Sequence, residues 1–195
     1  MITFDGSDIN LWLDWGISPS TRTIYLGSAT YLQSEESGIE FLTAARFIKQ
    51  LFVMNNSDTS PIDVLLNSPG GDEYYGVAIY EAIRLSKAPV HIKVIGHAMS
   101  MAAIILQAGA RRIITKNSVI MLHYGTFDLH SDSKDVKSNA KENERFNRWM
   151  EEVFLSKIRE KKPKYTLIQV RKLLETDNYI TATQALKLGL VDEIV

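Results

Sequence analysis

Short apolar runs alternate along this chain with segments whose apolar residues recur every three or four positions. TIYLGS, residues 23 to 28, reads as a strand closing on a glycine turn. Ser37 and Glu40 form a capping box ahead of a stripe of Phe41, Ala44, Ala45, Ile48, Leu51 and Phe52, which predicts a helix. After the loop NNSDTSP, PIDVLL (61 to 66) is almost continuously apolar, the pattern of a strand buried on both faces. NSPGG leads into a second helix with Gly76, Ile79, Tyr80 and Ile83 on one side, stopped at Ala88-Pro89. VHIKVI (90 to 95) predicts a third strand, followed by Ser100, a short apolar helix and Gly109. RRIIT and SVIMLHY predict further strands. Residues 1 to 20 show no clear period, and Trp12 and Trp15 are expected to pack on the body or on a neighbouring subunit.

Strand, turn and helix therefore repeat through the first two-thirds of the chain. That order implies an α/β fold with parallel strands joined by helical crossovers. Chemistry in such sheets gathers at the carboxyl ends of the strands, where NSPGG, Ser100 and His123 all fall. Residues 124 to 176 are more polar. Ser131 or Ser133 can cap a long helix reaching about Lys161, with Phe146, Trp149, Met150, Val153 and Ile158 striping its second half and little but Val136 and Ala140 in its first. Such uneven polarity predicts a helix that projects from the body or packs on another subunit. Pro163 ends it. Thr166 with Gln169 and Thr181 with Gln184 cap two shorter helices, Gly189 closes the second, and LVDEIV is the final strand.

Length and composition narrow this picture. A chain of 195 residues fits one domain, 1–195, with an N-terminal segment over 1–22 and a more polar, helical region over 124–165. A hydrophobic content of 45% suffices for a core. The formal net charge of −1 gives no reason to expect nucleic acid or an anionic membrane surface as partner. With no cysteine, disulfides and thiolate metal sites are excluded. The N-terminus has no signal-peptide pattern, and no apolar run approaches the ~20 residues that span a bilayer, so a soluble protein is expected.

Ser100 sits between strand and helix, flanked by Met99 and Met101. As a helix cap it would be ordinary. A serine at such a turn can equally be a nucleophile, its oxygen exposed and the following N–H aimed at an oxyanion. Position alone leaves both readings open. A hydroxyl nucleophile needs a base. Of the four histidines, His91 lies within a strand, His130 in a polar loop, and His97 would have to fold back across a turn. His123 ends a strand beside the proposed site and suits the role. The group that orients the imidazole is open among Asp72, Asp128, Asp132, Asp177 and Asp192. The glycines of NSPGG allow close backbone approach to a ligand, and an N–H there could join that of Met101.

Four segments in order carry a family resemblance: NSPGG with YGVAIYEAI, GHAMSMAAIILQAGA, NSVIMLH, and DNYITATQALKLGLVDEI. Together they resemble the proteolytic subunit of the Clp protease, a serine peptidase family of crotonase-like fold, over roughly residues 20 to 195. The resemblance implies a spiral of strand-turn-helix repeats with a helical handle. It implies Ser100 as nucleophile, His123 as base and Asp177 as the orienting acid. Gly71 and Met101 would form the oxyanion hole, and Gly70, Tyr124 and Gly125 would bind substrate. It further implies hydrolysis of peptide bonds with no metal or other cofactor, and a homo-oligomer of seven-membered rings, single or stacked as a tetradecamer. An ATP-dependent unfoldase would feed unfolded protein to the rings in the cytoplasm, or in the host cytoplasm for a virus-encoded member.

The chain departs from the family pattern in four places. Tyr124 and Gly125 stand where glutamine and proline are usual, TFDLHSDSKD replaces a glycine-rich segment, and Met99 replaces a small alanine. The N-terminus is unlike the family's axial loop. These departures describe a divergent member. Three other readings are weaker. An acyl-CoA hydratase or isomerase would have no use for a serine–histidine–aspartate set. A serine–lysine peptidase would make His123 superfluous. An inactive regulatory ring subunit would be signalled by a missing triad member, and none is missing.

Overall fold

The computed structural model describes residues 6, 8–27, 38–125 and 133–195, which contain eight strands of one sheet and seven helices. In chain order they begin with α1 (Asp8–Trp15), β1 (Ile17–Ser18), β2 (Thr23–Gly27), α2 (Phe41–Ser57), β3 (Ile62–Ser68) and α3 (Glu73–Arg84). The centre holds β4 (Val90–Met99), α4 (Met101–Leu106), β5 (Arg111–Ile114) and β6 (Val119–Leu122). The chain continues through α5 (Ser133–Lys161), α6 (Leu167–Leu174), β7 (Asn178–Thr181), α7 (Ala182–Leu188) and β8 (Glu193–Ile194). No helix among the described residues is long and apolar enough to cross a membrane.

Strands β2, β3, β4 and β5 lie side by side and parallel, each joined to the next through one helix, as the strand-turn-helix pattern predicts. β8 extends this sheet in parallel beyond β5, and β1 turns back antiparallel on β2. The centre is more elaborate than the sequence suggests. VHIKVI does not end at Gly96; the strand runs on to Met99. Its first half, His91 to Val94, pairs with β5, and its second half, His97 to Met99, pairs with β6. β7, whose four residues carry no readable period in the sequence, then pairs antiparallel with β6.

Further expectations are corrected. PIDVLL is not buried on both faces. Ile62, Val64, Leu66 and Ser68 of β3 are buried, whereas Asp63 is exposed and Leu65 and Asn67 are only partly covered. β4 alternates in the same way, and its His91 approaches Asp63 on the open face (3.6 Å). Polar residues at alternate positions hold that face toward solvent. In α2 the buried stripe is Ala44, Phe47, Leu51 and Met54 rather than one running from Phe41 to Phe52. Phe41 and Phe52 are 60% and 68% exposed, because they lie about three turns apart on one shared flank of the helix, roughly 100° round from the stripe that the 3.6-residue period turns inward. The N-cap of α2 is Glu40, without a side-chain cap bond. Ser37, the expected capping residue, lies outside the described residues, as does Ser131, while Ser133 is the first residue of α5 rather than its cap.

Other expectations match. Both later capping boxes form, Gly189 caps α7, and α5 buries Phe146, Met150, Val153 and Ile158, with Trp149 edge-on to Tyr80. The N-terminal segment forms helix α1 despite its lack of period. Asp8 anchors it by accepting from the Ser18 hydroxyl (2.6 Å) and the Ser20 N–H (2.9 Å). These hydrogen bonds, with that of the Ser20 hydroxyl, hold the Asp8 carboxyl below its usual range. Trp15 stacks beneath Arg46 of α2.

Helix α3 packs on α4 through a glycine. A Cβ on Gly76 would lie 2.1 Å from Cγ of the buried Met101. Gly76→Ala should therefore displace Met101 and lower stability by about 1–3 kcal/mol, the usual effect of overpacking. The check is urea denaturation of wild type, Gly76→Ala and the double variant Gly76→Ala/Met101→Ala. The double variant should lose less than the sum of the two single losses, since the clash has no partner there.

Candidate active site

The site is assembled at the end of the β4–β6–β7 ladder. The Ser100 N–H donates to the Met121 carbonyl (2.9 Å), which carries the β4–β6 pairing one residue past Met99. Ser100 then turns into α4 with φ 51° and ψ −123°. A left-handed conformation is uncommon for a residue with a side chain and costs about 1–3 kcal/mol. The Ser100 hydroxyl makes no cap bond to α4. Its Oγ lies 2.8 Å from His123 Nε2 instead.

His123 follows β6 directly. β6 and β7 are in register with Leu122 opposite Asn178, so the next step along the antiparallel pair sets His123 against Asp177. His123 Nδ1 and Asp177 Oδ1 are 3.0 Å apart. A carboxylate only accepts hydrogen bonds. In the neutral ring, Nδ1 therefore carries the hydrogen and Nε2 turns its lone pair to the serine hydroxyl. This is the arrangement that lets an imidazole take a proton from a hydroxyl.

The other candidates have separate occupations. Asp72 caps α3, accepting from the N–H groups of Tyr74 (2.9 Å) and Tyr75 (3.0 Å). Asp192 binds Arg112, whose guanidinium is buried and also reaches Gln107 Oε1 and the Gly189 carbonyl. Burial works to raise the Asp192 carboxyl, and the hydrogen bonds and charge of Arg112 outweigh it, holding the group below its usual range. His97 lies in β4, where its N–H donates to Asn67 Oδ1 (3.1 Å). Asp128, Asp132 and His130 lie outside the described residues.

NSPGG lies against the serine turn. A Cβ on Gly70 would sit 2.7 Å from Ser100 Cβ, so the two loops touch through backbone. Gly71 forms a parallel bridge with Ile39, in which Ile39 N–H donates to the Gly70 carbonyl (2.6 Å) and its carbonyl accepts from Asp72 N–H (2.8 Å). In such a bridge the N–H of Gly71 itself faces away from Ile39. Met101 opens α4, so its N–H has no partner within the helix.

A cavity of about 480 Å³ opens beside Ser100, lined by Gly71, Met101, His123 and Gly125 among others. Met101, Ile104, Phe146 and Met150 supply buried apolar lining, and Asp72, Glu73 and Tyr74 supply polar lining. In the sequence Phe146 and Met150 stand out only as part of the apolar stripe of α5, and Glu73, Tyr74 and Ile104 do not stand out at all. The position of Glu73 and Tyr74 directly after NSPGGD was the available signal. Of the positions expected to bind substrate, Gly125 lines the cavity, Gly70 lies under the serine turn, and Tyr124 is directed elsewhere.

The Tyr124 hydroxyl donates to Glu151 Oε1 (2.5 Å), and Arg171 grips both oxygens of the same carboxylate (3.1 Å each). The Tyr124 N–H donates to the Leu174 carbonyl at the end of α6 (2.9 Å). The residue after His123 is thus tied to α5 by its side chain and to α6 by its backbone. Burial, together with the hydrogen bond to Glu151, raises the Tyr124 phenol well above its ordinary value, so it remains a donor. Among the described residues no cluster of histidine and carboxylate side chains has the spacing of a metal site.

The family model described as Clp protease matches residues 32–195. The chain is 31% identical over 163 residues to the ATP-dependent Clp protease proteolytic subunit of Deinococcus radiodurans, covering 80% of this chain and 76% of the relative. It is 31% identical to ATP-dependent Clp protease proteolytic subunit 2 of Leifsonia xyli subsp. xyli, covering 89% and 74%. It is 30% identical to the ATP-dependent Clp protease proteolytic subunit of Carsonella ruddii, covering 89% and 84%.

Tyr124→Phe removes one hydrogen bond to a charged, buried acceptor while Arg171 keeps Glu151 paired. The expected loss is about 1.5–3 kcal/mol in urea denaturation. An unchanged midpoint would show that the phenol does not hold the segment after His123 to α5.

Proposed function

Because this chain belongs to the Clp protease family, a family of serine-type peptidases with this mixed α/β fold, we propose that it hydrolyses peptide bonds with Ser100 as nucleophile. The observation that carries the reading is the relay from Asp177 through His123 to Ser100, at 3.0 and 2.8 Å, on the edge of a cavity. His123 Nε2 takes the hydroxyl proton as Ser100 Oγ bonds to the substrate carbonyl carbon, then passes that proton to the leaving amine as the C–N bond breaks. Water, deprotonated by the same nitrogen, attacks the acyl-enzyme, and the proton returns to Ser100 Oγ as the acid product leaves. Asp177 keeps the ring in the required tautomer and stabilises the imidazolium. The N–H groups of Gly71 and Met101 stabilise the oxyanion, a role their unpartnered backbone positions suit.

The reading extends to assembly. A homo-oligomeric ring, heptameric and single or doubled, accounts for apolar side chains left open on this chain: Leu11, Leu13 and Trp15 on α1, and Phe41, Leu42, Phe52 and Val53 on α2. The projecting, largely polar first half of α5 suits contact between rings. An ATP-dependent unfoldase would then supply unfolded chains, in keeping with the names of the relatives.

Two measurements test this. Ser100→Ala should lose fluorophosphonate labelling, and its peptidase rate should fall on the order of 10⁴ to 10⁶-fold with the fold intact. Near-normal activity in that variant would end the mechanism. Light scattering of the full chain should give the mass of seven or fourteen copies, and a monomer would remove the ring.

A further inference from the structure

The cavity beside Ser100 has two chemically distinct parts. Met101, Ile104, Phe146 and Met150 make an apolar surface, all of them buried. Against it stands the carboxylate of Glu73, in the first turn of α3 and half-buried. A Cβ on Gly125 would lie 3.4 Å from Glu73 Oε1, so this oxygen lies beside the backbone two residues beyond His123.

Glu73 has no cationic partner among the described residues. Of its neighbours, Asp72 uses its carboxylate to cap α3, and Glu142 is gripped by Arg145, with the Tyr74 hydroxyl 3.4 Å away. The nearby cation is therefore committed to a different carboxylate. Burial above all, then the charges of Asp72 and Glu142, raises the Glu73 carboxyl above its usual range.

We propose that Glu73 makes this cavity select a cationic side chain, lysine or arginine, at the residue whose carbonyl Ser100 attacks. The inference rests on the peptidase reading and specifies its substrate class. A long aliphatic stem can lie along the Met101, Ile104, Phe146 and Met150 surface while its charged end meets Glu73, the way amphipathic side chains divide between apolar and polar surroundings. A cation there meets a partly desolvated carboxylate that has no cationic partner among the described residues, where attraction exceeds that of an exposed pair. A leucine or phenylalanine in the same place would cover that carboxylate without giving it a hydrogen bond. A carboxylate in the pocket beside a serine nucleophile is a known way of setting this preference.

The test uses fluorogenic peptides differing only in the residue before the scissile bond (Lys, Arg, Leu, Met and Glu), cleaved by the full chain, by Glu73→Gln and by Glu73→Leu. Fluorophosphonate labelling of Ser100 is followed in parallel. The wild type should favour Lys or Arg over Leu by about tenfold or more in kcat/KM. In Glu73→Gln the ratio should fall to near parity, and in Glu73→Leu it should invert with a gain on the Leu peptide. A labelled wild type that prefers Leu or Met, with a ratio unchanged in both variants, would overturn the inference and leave the peptidase reading standing. An unlabelled wild type that cleaves none of the peptides would overturn the peptidase reading and this inference with it.

Discussion

The structure depends on one strand having two partners. β4 pairs with β5 over its first half and with β6 over its second, and the change of partner is made at Gly96. Gly96 has φ +106°, and a Cβ there would lie 2.5 Å from Asn67 Oδ1. A side chain at this position would meet both backbone strain and a clash. Side chains satisfy the main-chain groups freed by the break. Ser118 Oγ accepts from Gly96 N–H (2.7 Å), and Asn67 Oδ1 accepts from His97 N–H (3.1 Å). The neighbouring strand adjusts too, its register shifting between Leu66 and Ser68. Without the switch, β6 would have no place beside the end of β4, and Ser100 and His123 would not share an edge.

From that edge the site follows with few free choices. Ser100 N–H is held by the Met121 carbonyl, so its left-handed backbone is fixed by the same ladder that positions His123. The strain at Ser100, about 1–3 kcal/mol, is borne by a residue flanked by a buried helix and a paired strand. A relaxed serine at a helix start would turn its oxygen back onto the helix N–H groups. Here the backbone angle directs the oxygen to His123 instead. The Tyr124–Glu151–Arg171 group fixes the other side, binding the segment after His123 to α5 and α6.

How much of this is legible in the sequence varies with the range of the interaction. The helix caps at Thr166 and Thr181 are local, and three residues suffice to read each. The parallel order follows from alternating element types. Ser100 and His123 can be read as strand-end residues because their neighbours are strongly apolar. β7 is not legible, since NYIT is too short to carry a period, and it is this strand that brings Asp177 to the site. From the residues alone Asp177 was one of five aspartates, and only the family resemblance selected it. The extension of β4 past Gly96 fails for a related reason: a glycine in a strand usually marks its end, and what keeps the strand going is Ser118, more than twenty residues away. In α2 the apolar pattern points to the wrong flank, because Phe41 and Phe52 are large and apolar yet exposed.

The acidic residues show how environment divides one chemical group among several tasks. Asp8 and Asp72 are held by hydroxyl or backbone donors, Asp8 tying α1 to Ser18 and Ser20 and Asp72 capping α3. Glu151 and Asp192 are matched to arginines and join distant elements, α5 to α6 and β5 to the C-terminal segment. Asp177 faces the imidazole at 3.0 Å, with 61% of its side chain open to water. Glu73 differs from all of these, being half-buried without a donor among the described residues. A carboxylate that only stabilised the fold would be expected to have found one, since burial without a hydrogen bond works against stability. Its place on the wall of the cavity beside Ser100 gives a physical reason for leaving it unpaired: the missing donor is the one a bound molecule brings.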